Sequence, residues 1–312
     1  MPESQKIAII GLGNVGGAIA YASLIQGIAR HVALYDIDEP RVLAQAADLS
    51  HGLAFCPRAT VEASADLSVC KNAHVVVITA GAKQKPGQSR LDLLHANVLI
   101  FQSLIPKLMA AAPNAVLLIV SNPVDLLTHL ALKITGWGRE RVIGSGTVLD
   151  SARFRQLIAE RLHVSTANVH AYIAGEHGDS EIPLWGCATV GGVPVSQWAV
   201  MGHGKLSVRD RVEIFQGVKT AAQFIIAGKG ATDYAIGLST AQILRAILRD
   251  EQRVLPVSTR IDKLHGIEDV CLSLPTIVGS GGAGPVLDVP MTDAEKAGLL
   301  NSADVLKKAR TW

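Results

Sequence analysis

The stretch Ile7-Ala8-Ile9-Ile10-Gly11-Leu12-Gly13-Asn14-Val15-Gly16 decides how the rest of the chain is read. An apolar run stops at a glycine, and Gly11, Gly13 and Gly16 then take the one, three, six spacing of a dinucleotide loop. That spacing has a mechanical meaning. Gly11 permits the tight turn out of a strand, and Gly13 lets backbone approach a pyrophosphate with no Cβ in the way. Gly16 lets the next helix lie close to the sheet, with its N-terminal amides aimed at the phosphates. Alone the motif is weak, because glycine-rich strand-to-helix turns are common. Context strengthens it: Val15–Ile28 continues as a small, apolar helix, His31–Tyr35 is a second apolar run, and Asp36 ends that run. An acid about 20 residues past the last glycine is where a carboxylate meets the adenosine ribose hydroxyls, and it repels a 2′-phosphate, favouring NAD over NADP. The plainer role for Asp36 is a strand-ending turn.

Outward from this stretch, apolar runs alternate with helical patterns, the signature of a parallel sheet wound by crossover helices. Strands are predicted at Lys6–Ile10, Val32–Tyr35, Thr60–Ala63, Val75–Thr79, Val116–Val120 and Arg141–Ile143. Helices are predicted near Val15–Ile28, Pro40–Ser50, Leu91–Ala111 and Pro123–Ile134. The expected class is α/β: a Rossmann-type doubly wound parallel sheet over residues 1–146, then an α+β substrate and catalytic domain over 147–312. In that second part a helix over Leu149–Leu162 precedes a strand at Val169–Ala174 and a hairpin at Cys187–Trp198 around Gly191-Gly192. Helices Val208–Ala227 and Asp233–Arg249, strands Val254–Ser258 and Val270–Val278, and a last helix from Asp293 to about Arg310 complete the reading. Gly279-Ser280-Gly281-Gly282-Ala283-Gly284-Pro285 tempts a second phosphate-loop reading, but Pro285 and a strand-like run follow it, so it reads as a hairpin turn.

Composition bounds the function classes. At 312 residues, 49% hydrophobic and 18% charged, the chain has ample material for a large core and is not a disordered polymer. A formal net charge of +2 gives no argument for nucleic acid or a membrane surface. Cys56, Cys70, Cys187 and Cys271 have no short pair spacing, so they suggest neither a metal cluster nor a disulfide framework, only thiols in a reducing compartment. With Met1–Gln5 leading directly into the first strand, and no apolar stretch approaching membrane-spanning length, a cytoplasmic protein is expected.

Asp150 and Arg153 stand three apart on a helix and so share a face. His177 follows in the polar, glycine-flanked segment Gly175-Glu176-His177-Gly178-Asp179. A carboxylate beside a loop histidine fixes its tautomer and stabilises the imidazolium, which suits proton transfer from an alcohol as hydride leaves its carbon. Arg153 supplies the planar fork that grips a substrate carboxylate. The competing reading is a surface Asp–Arg pair and an unrelated histidine. Gly81-Ala82-Lys83-Gln84-Lys85-Pro86-Gly87-Gln88-Ser89-Arg90 follows the fourth strand at the edge where open sheets bind ligands, and it suits either a flap over an anion or a solvated basic loop. Asn122, in Ser121-Asn122-Pro123, ends a strand at the same edge and fits a plain turn equally well.

Taken in order, Gly11-x-Gly13-x-x-Gly16, Asp36, Gln84-Lys85-Pro86-Gly87-x-x-Arg90, Ser121-Asn122-Pro123, Asp150-x-x-Arg153 and Gly175-Glu176-His177-Gly178 closely resemble the L-lactate/malate dehydrogenase family. The resemblance runs from about residue 6 to 309. It implies that His177 is the proton donor and acceptor, that Asp150 orients it, and that Arg153 binds the substrate carboxylate. Asn122 then bonds the reacting oxygen and Arg90 polarises the carbonyl as the flap closes. NAD contacts fall to Gly11, Gly13, Asn14, Val15, Gly16, Asp36 and Asn122, with Val120 and Ile236 beside the nicotinamide. Malate enzymes of the family look like Arg-Lys-Pro-Gly at the flap, where the arginine meets a second carboxylate. Here the position is the neutral Gln84, and Thr232 closes the methyl end, so the resemblance implies pyruvate and L-lactate as substrates.

The family resemblance extends to regulation. Arg155 points away from Arg153 on the helix, and Arg155 and His170 match positions at which bacterial members bind fructose 1,6-bisphosphate across a subunit interface, implying an activated homotetramer. The plainer role for both is to solvate a surface. One departure is Asp233, after Thr232, where a tyrosine is usual. It either perturbs the pocket or serves as a helix N-terminal acid. Three other readings compete. A malate or broader 2-hydroxyacid enzyme is opposed by Gln84. A short-chain dehydrogenase needs a lysine four residues after a tyrosine, and Ile25, Glu39, Glu176 and Leu238 occupy those places. A non-catalytic NAD-binding sensor is expected to lack His177, Arg153 or Arg90, and all three are present.

Overall fold

The computed structural model describes residues 5–82, 90–198 and 205–310, with the side chains of Arg90 and Leu91 left out. Its centre is an eight-stranded sheet. Six strands are β1 (Lys6–Ile10), β2 (His31–Tyr35), β3 (Thr60–Ser64), β4 (Val75–Ile78), β5 (Val116–Ile119) and β6 (Val142–Gly144). They pair in parallel in the order β3-β2-β1-β4-β5-β6, the doubly wound arrangement the sequence predicts.

Among the described residues eight α-helices surround the sheets: α1 (Asn14–Ile25), α2 (Glu39–His51), α3 (Arg90–Ala111), α4 (Val124–Thr135), α5 (Val148–Leu162), α6 (Val208–Lys229), α7 (Tyr234–Leu248) and α8 (Asp293–Ala309). Strand residues alternate between two cores because successive side chains leave a strand on opposite faces. Ala8, Ile10, Val76, Ile78, Leu117 and Ile119 face one cluster with Phe101, Ile105 and Leu108 of α3 and Leu127 of α4. Ile7, Ile9, Val75, Val77, Val116 and Leu118 face the other, with Ile19 of α1 and Leu244 and Ile247 of α7. A core that consumes both faces explains why β4 and β5 are apolar without alternation. By length and composition α3 is apolar enough to cross a membrane, contrary to the sequence reading; Leu94, Val98, Phe101, Leu104, Ile105 and Leu108 are instead spent on this core, while Leu99 stays exposed.

Several predicted strands are corrected. Val254–Ser258 is broken at Pro256 and Val270–Val278 at Pro275, since proline has no N–H for a ladder. The pieces Ser258–Ile261 and Val270–Ser273 do not stay in a separate lobe; they run antiparallel beyond β6 and extend the nucleotide-side sheet through Ser258 and Gly144. Val169–Ala174 is two short strands, Val169–His170 paired with Thr189–Val190 and Ile173–Ala174 paired with Ile182–Pro183. The hairpins at Gly191-Gly192 and at Ser280-Gly281 form as read. A third core, with Phe154, Ile158, Ile173, Val190 and Ile214, joins α5 and α6 to these short strands.

Candidate active site

The glycine loop is built as its spacing requires. Gly11 has φ of +93°, and a Cβ there would lie 2.7 Å from the Ala80 amide nitrogen. A Cβ on Gly16 would lie 2.0 Å from the Gly11 carbonyl oxygen, whereas one on Gly13 meets nothing within 4 Å. The first and third glycines are therefore consumed by packing, and the second leaves open backbone in front of α1. Gly13 is the N-cap residue of α1 and supplies no side chain to the amides that follow, including those of Asn14 and Val15.

Asp36 does two things at once. Its Oδ2 accepts the Leu12 N–H at 2.6 Å and its Oδ1 accepts the Asp38 N–H at 3.1 Å, holding the loop against the end of β2. It stands half-buried just past the end of β2, with carboxylate lone pairs beyond those two bonds. Thr79, which the sequence reading passed over, donates its hydroxyl to the Gly11 carbonyl at 2.7 Å and fixes the turn from below. Val120 belongs to the apolar cluster against which Val15 and Ile236 also pack. An open glycine, uncapped helix amides and a half-buried acid after β2 together fit a nicotinamide dinucleotide.

At the C-terminal edge of the sheet the second cluster assembles. His177 Nδ1 lies 2.6 Å from Asp150 Oδ2, and Arg153 Nη1 donates to Asp150 Oδ1 at 2.9 Å. The carboxylate thus draws the proton to Nδ1 and leaves Nε2 for another partner. Asp150 is nearly buried on α5, with Arg153 one turn on and facing the same way. Burial alone would raise the Asp150 pKa, but His177 and Arg153 outweigh it and hold the acid below its ordinary value. Burial likewise pushes His177 down, and Asp150, with Asp125 and Glu181 adding to it, lifts the imidazole to about 9.

The loop carrying His177 is anchored at both ends. Gly175 bridges to Ser273, each N–H donating to the other's carbonyl at 2.8 Å, so the loop springs from the extended edge of the main sheet. The His177 amide donates to Asp125 Oδ2 at 2.7 Å, and Asp125 Oδ1 accepts the Ser258 hydroxyl at 2.5 Å. Asp125 and Glu181 are the functional candidates the sequence reading missed. Asp125 was visible as an acid inside the apolar run Val124–Leu127; Glu181 gave no signal until its burial was known. Asp150, His177 and Glu181 also lie close enough to offer three ligand atoms to a metal ion, although both Asp150 oxygens are already engaged.

Asn122 is exposed beyond β5, its Oδ1 accepting the Val124 N–H at 3.3 Å. Buried Asn97 ties this strand end to the base of the flap, donating to the Asn122 carbonyl at 2.8 Å and accepting the Ala82 N–H at 2.7 Å. Gln84, with Lys83 and Lys85, lies outside the described residues, as does the side chain of Arg90, whose backbone opens α3. Thr232 is half-buried in the short connection between α6 and α7. Asp233 is the helix acid of the two possibilities: it caps α7 by accepting the Tyr234 N–H at 2.7 Å and pairs with Lys229. Arg155, half-buried, donates Nε to the Ser151 carbonyl at 3.2 Å and faces Tyr172 and Arg253, while His170 is exposed.

Fold and site define an NAD-dependent dehydrogenase: a dinucleotide loop and an Asp–His pair meet at one sheet edge, with an arginine beside the pair. The description "lactate/malate dehydrogenase, NAD binding domain" matches residues 5–144, and "lactate/malate dehydrogenase, alpha/beta C-terminal domain" matches residues 147–311. The chain belongs to the lactate/malate dehydrogenase family. It is 51% identical over 307 residues to an L-lactate dehydrogenase of Bifidobacterium animalis subsp. lactis, covering 98% of this chain and 96% of that one. An L-lactate dehydrogenase of Gloeobacter violaceus is 47% identical, covering 99% of this chain and 94% of its relative. Among solved structures, the ligand-bound minor L-lactate dehydrogenase of Enterococcus mundtii superposes with a TM-score of 0.95 at 40% identity, covering 98% of each chain.

Proposed function

We propose that the protein is an L-lactate dehydrogenase that reduces pyruvate to L-lactate and catalyses the reverse. The observation that carries this reading is the Asp150 carboxylate shared between His177 at 2.6 Å and Arg153 at 2.9 Å. Bound NAD(H) supplies and receives the hydride. His177 Nε2 gives its proton to the carbonyl oxygen of pyruvate and takes it back from the hydroxyl of L-lactate. Asp150 holds the proton on Nδ1 and offsets the imidazolium charge. The remaining N–H groups of Arg153 grip the substrate carboxylate, which places the keto carbon beside the nicotinamide wall of Val120 and Ile236. Asn122 bonds the reacting oxygen, Arg90 polarises it, and Thr232 bounds the methyl end. Gln84 favours pyruvate because oxaloacetate would bury a second carboxylate with no cation to meet it.

The same reading includes an effector. Among the described residues no ion pair engages Arg155, burial lowers its pKa, and Arg253 is a second cation facing it. A half-buried cation with no ion pair among the described residues suits a bisphosphate, although Arg253 itself pairs with Glu251 at 3.6 Å, and we assign Arg155 and His170 to fructose 1,6-bisphosphate in a homotetramer. Exposed apolar side chains at Tyr21, Ile25, Leu43 and Phe55 support subunit contacts. The test is NADH oxidation with pyruvate and, separately, oxaloacetate, each with and without fructose 1,6-bisphosphate. Preference for pyruvate and a fall in its KM with effector are expected. Preference for oxaloacetate would overturn the lactate reading and point to Lys83 or Lys85.

A further inference from the structure

Glu181 stands four residues past His177 in the same loop, and nothing in the reaction proposed above uses it. It is a carboxylate in the interior, 6% exposed. One of its oxygens lies within 4.8 Å of both a His177 ring nitrogen and an Asp150 carboxylate oxygen. Asp150 accepts hydrogen bonds from His177 and Arg153, whereas among the described residues no donor is bonded to the Glu181 carboxylate. A buried acid without a donor is governed by the charges around it. The charges acting on it are Asp150 and Arg153 from α5, His177 from the loop itself and Lys219 from α6; Asp125 from α4 acts on His177 and Glu176 on Asp125, and α8 meets the loop through the neutral Ser302 hydroxyl. Lys219 is partly committed elsewhere, donating to the Asp179 carbonyl at 2.8 Å.

Two acids and one imidazole in so small a volume cannot titrate independently. Whichever acid lacks donors is the one that keeps its proton longer. Asp150 has two, so the extra proton falls to Glu181: burial first and Asp150 second raise it to about 8, against His177, Lys219 and Arg153. Its negative charge therefore arrives at the alkaline side of neutrality, where the imidazolium most needs support. We propose that Glu181 is a positioning residue of the proton-transfer centre, a second acid that keeps the proton on His177 into the alkaline range. The inference rests on His177 being the proton donor of the proposed function.

The experiment is the pH profile of kcat/KM for pyruvate, measured on the full-length enzyme with saturating NADH, for wild type, Glu181→Gln and Glu181→Asp. In Glu181→Gln the alkaline limb is expected about 0.5–1 pH unit lower, with Glu181→Asp restoring most of the difference. Above about pH 8, where the wild-type carboxylate is charged, L-lactate oxidation should rise in Glu181→Gln while pyruvate reduction falls, because a weaker hold on the proton favours the base and penalises the acid. Coincident limbs, or equal losses in both directions, would overturn the inference. A wild type without pyruvate turnover overturns the proposed function and this inference together; an active wild type whose limb ignores Glu181→Gln overturns this inference alone. Should Glu181→Gln fail to fold, infrared spectroscopy of the wild type decides: a protonated-carboxyl band that disappears on the alkaline side of neutrality supports the inference, and its absence at neutral pH sinks it.

Discussion

Asp125 and His177 are joined by an N–H to carboxylate hydrogen bond of 2.7 Å, so a helix of the nucleotide-side core holds the backbone of the candidate catalytic histidine. Its other oxygen accepts the Ser258 hydroxyl, on a strand that extends the same sheet. Burial raises Asp125 to about 6 despite these donors. One buried side chain thereby joins α4, the sheet edge and the His177 loop.

Replacing Asp125 with alanine leaves the His177 amide and the Ser258 hydroxyl without an acceptor. A loss of about 2–4 kcal/mol in unfolding free energy is expected, together with a lower kcat from a displaced His177. Denaturant unfolding and steady-state kinetics on the same preparation check both. Wild-type kcat in a destabilised Asp125→Ala would remove Asp125 from the positioning of His177.

The glycines of the loop should separate folding from binding. Gly16→Ala is expected to cost about 2–3 kcal/mol of stability, since its Cβ has no space. Gly13→Ala should fold with a nearly unchanged melting temperature and bind NADH about tenfold more weakly or worse, because its Cβ enters only the space left for the pyrophosphate. Titration of NADH fluorescence reads the second effect. Equal NADH affinity in Gly13→Ala and wild type would contradict the loop's assignment.

Stability should depend on pH through the Asp150–His177 pair. The folded His177 pKa of about 9 lies above its ordinary value near 6.5, so the pair's contribution is complete below about pH 6.5 and fades as pH rises toward 9. Thermal melting across that window should show a decline in the wild type that flattens in Asp150→Asn. Parallel curves would mean that His177 binds no extra proton on folding.

Gln84→Arg should exchange one substrate for another. An arginine at the flap supplies the partner for a second carboxylate, and oxaloacetate should gain on pyruvate in kcat/KM by about 100-fold or more, equivalent to about 3 kcal/mol. Arg155→Gln, in contrast, should leave basal turnover intact and abolish the response of the pyruvate KM to fructose 1,6-bisphosphate. An unchanged response would return Arg155 to an ordinary surface role.

What the sequence made legible was local. Gly11, Gly13 and Gly16 act within a single turn, and Asp150 with Arg153 within a turn of helix, so spacing alone placed them. Strand positions were readable for the same reason, since β4 and β5 are short apolar runs between turns. Pairing is a long-range property. Nothing near Ser258 announces that it joins Gly144, and the proline breaks at Pro256 and Pro275 became decisive only with the sheet in view. Glu181 was hidden for a related reason, and Asp125 showed only as an acid in an apolar run: the interest of both lies in being buried beside His177, and burial is written by distant segments.

The shared sheet bears on how such a chain can be recombined. Residues 147–311 look like a separable module when the family match is divided at Gly144, yet Ser258–Ile261 and Val270–Ser273 are the outer strands of the first module's own sheet. A chimaera crossed over at that point inherits a raw edge on β6, with open backbone groups waiting for strands encoded more than a hundred positions downstream. Successful grafts between relatives should therefore carry these two strands together with the nucleotide half, treating the molecule as an interlaced pair whose seam lies well past the apparent junction.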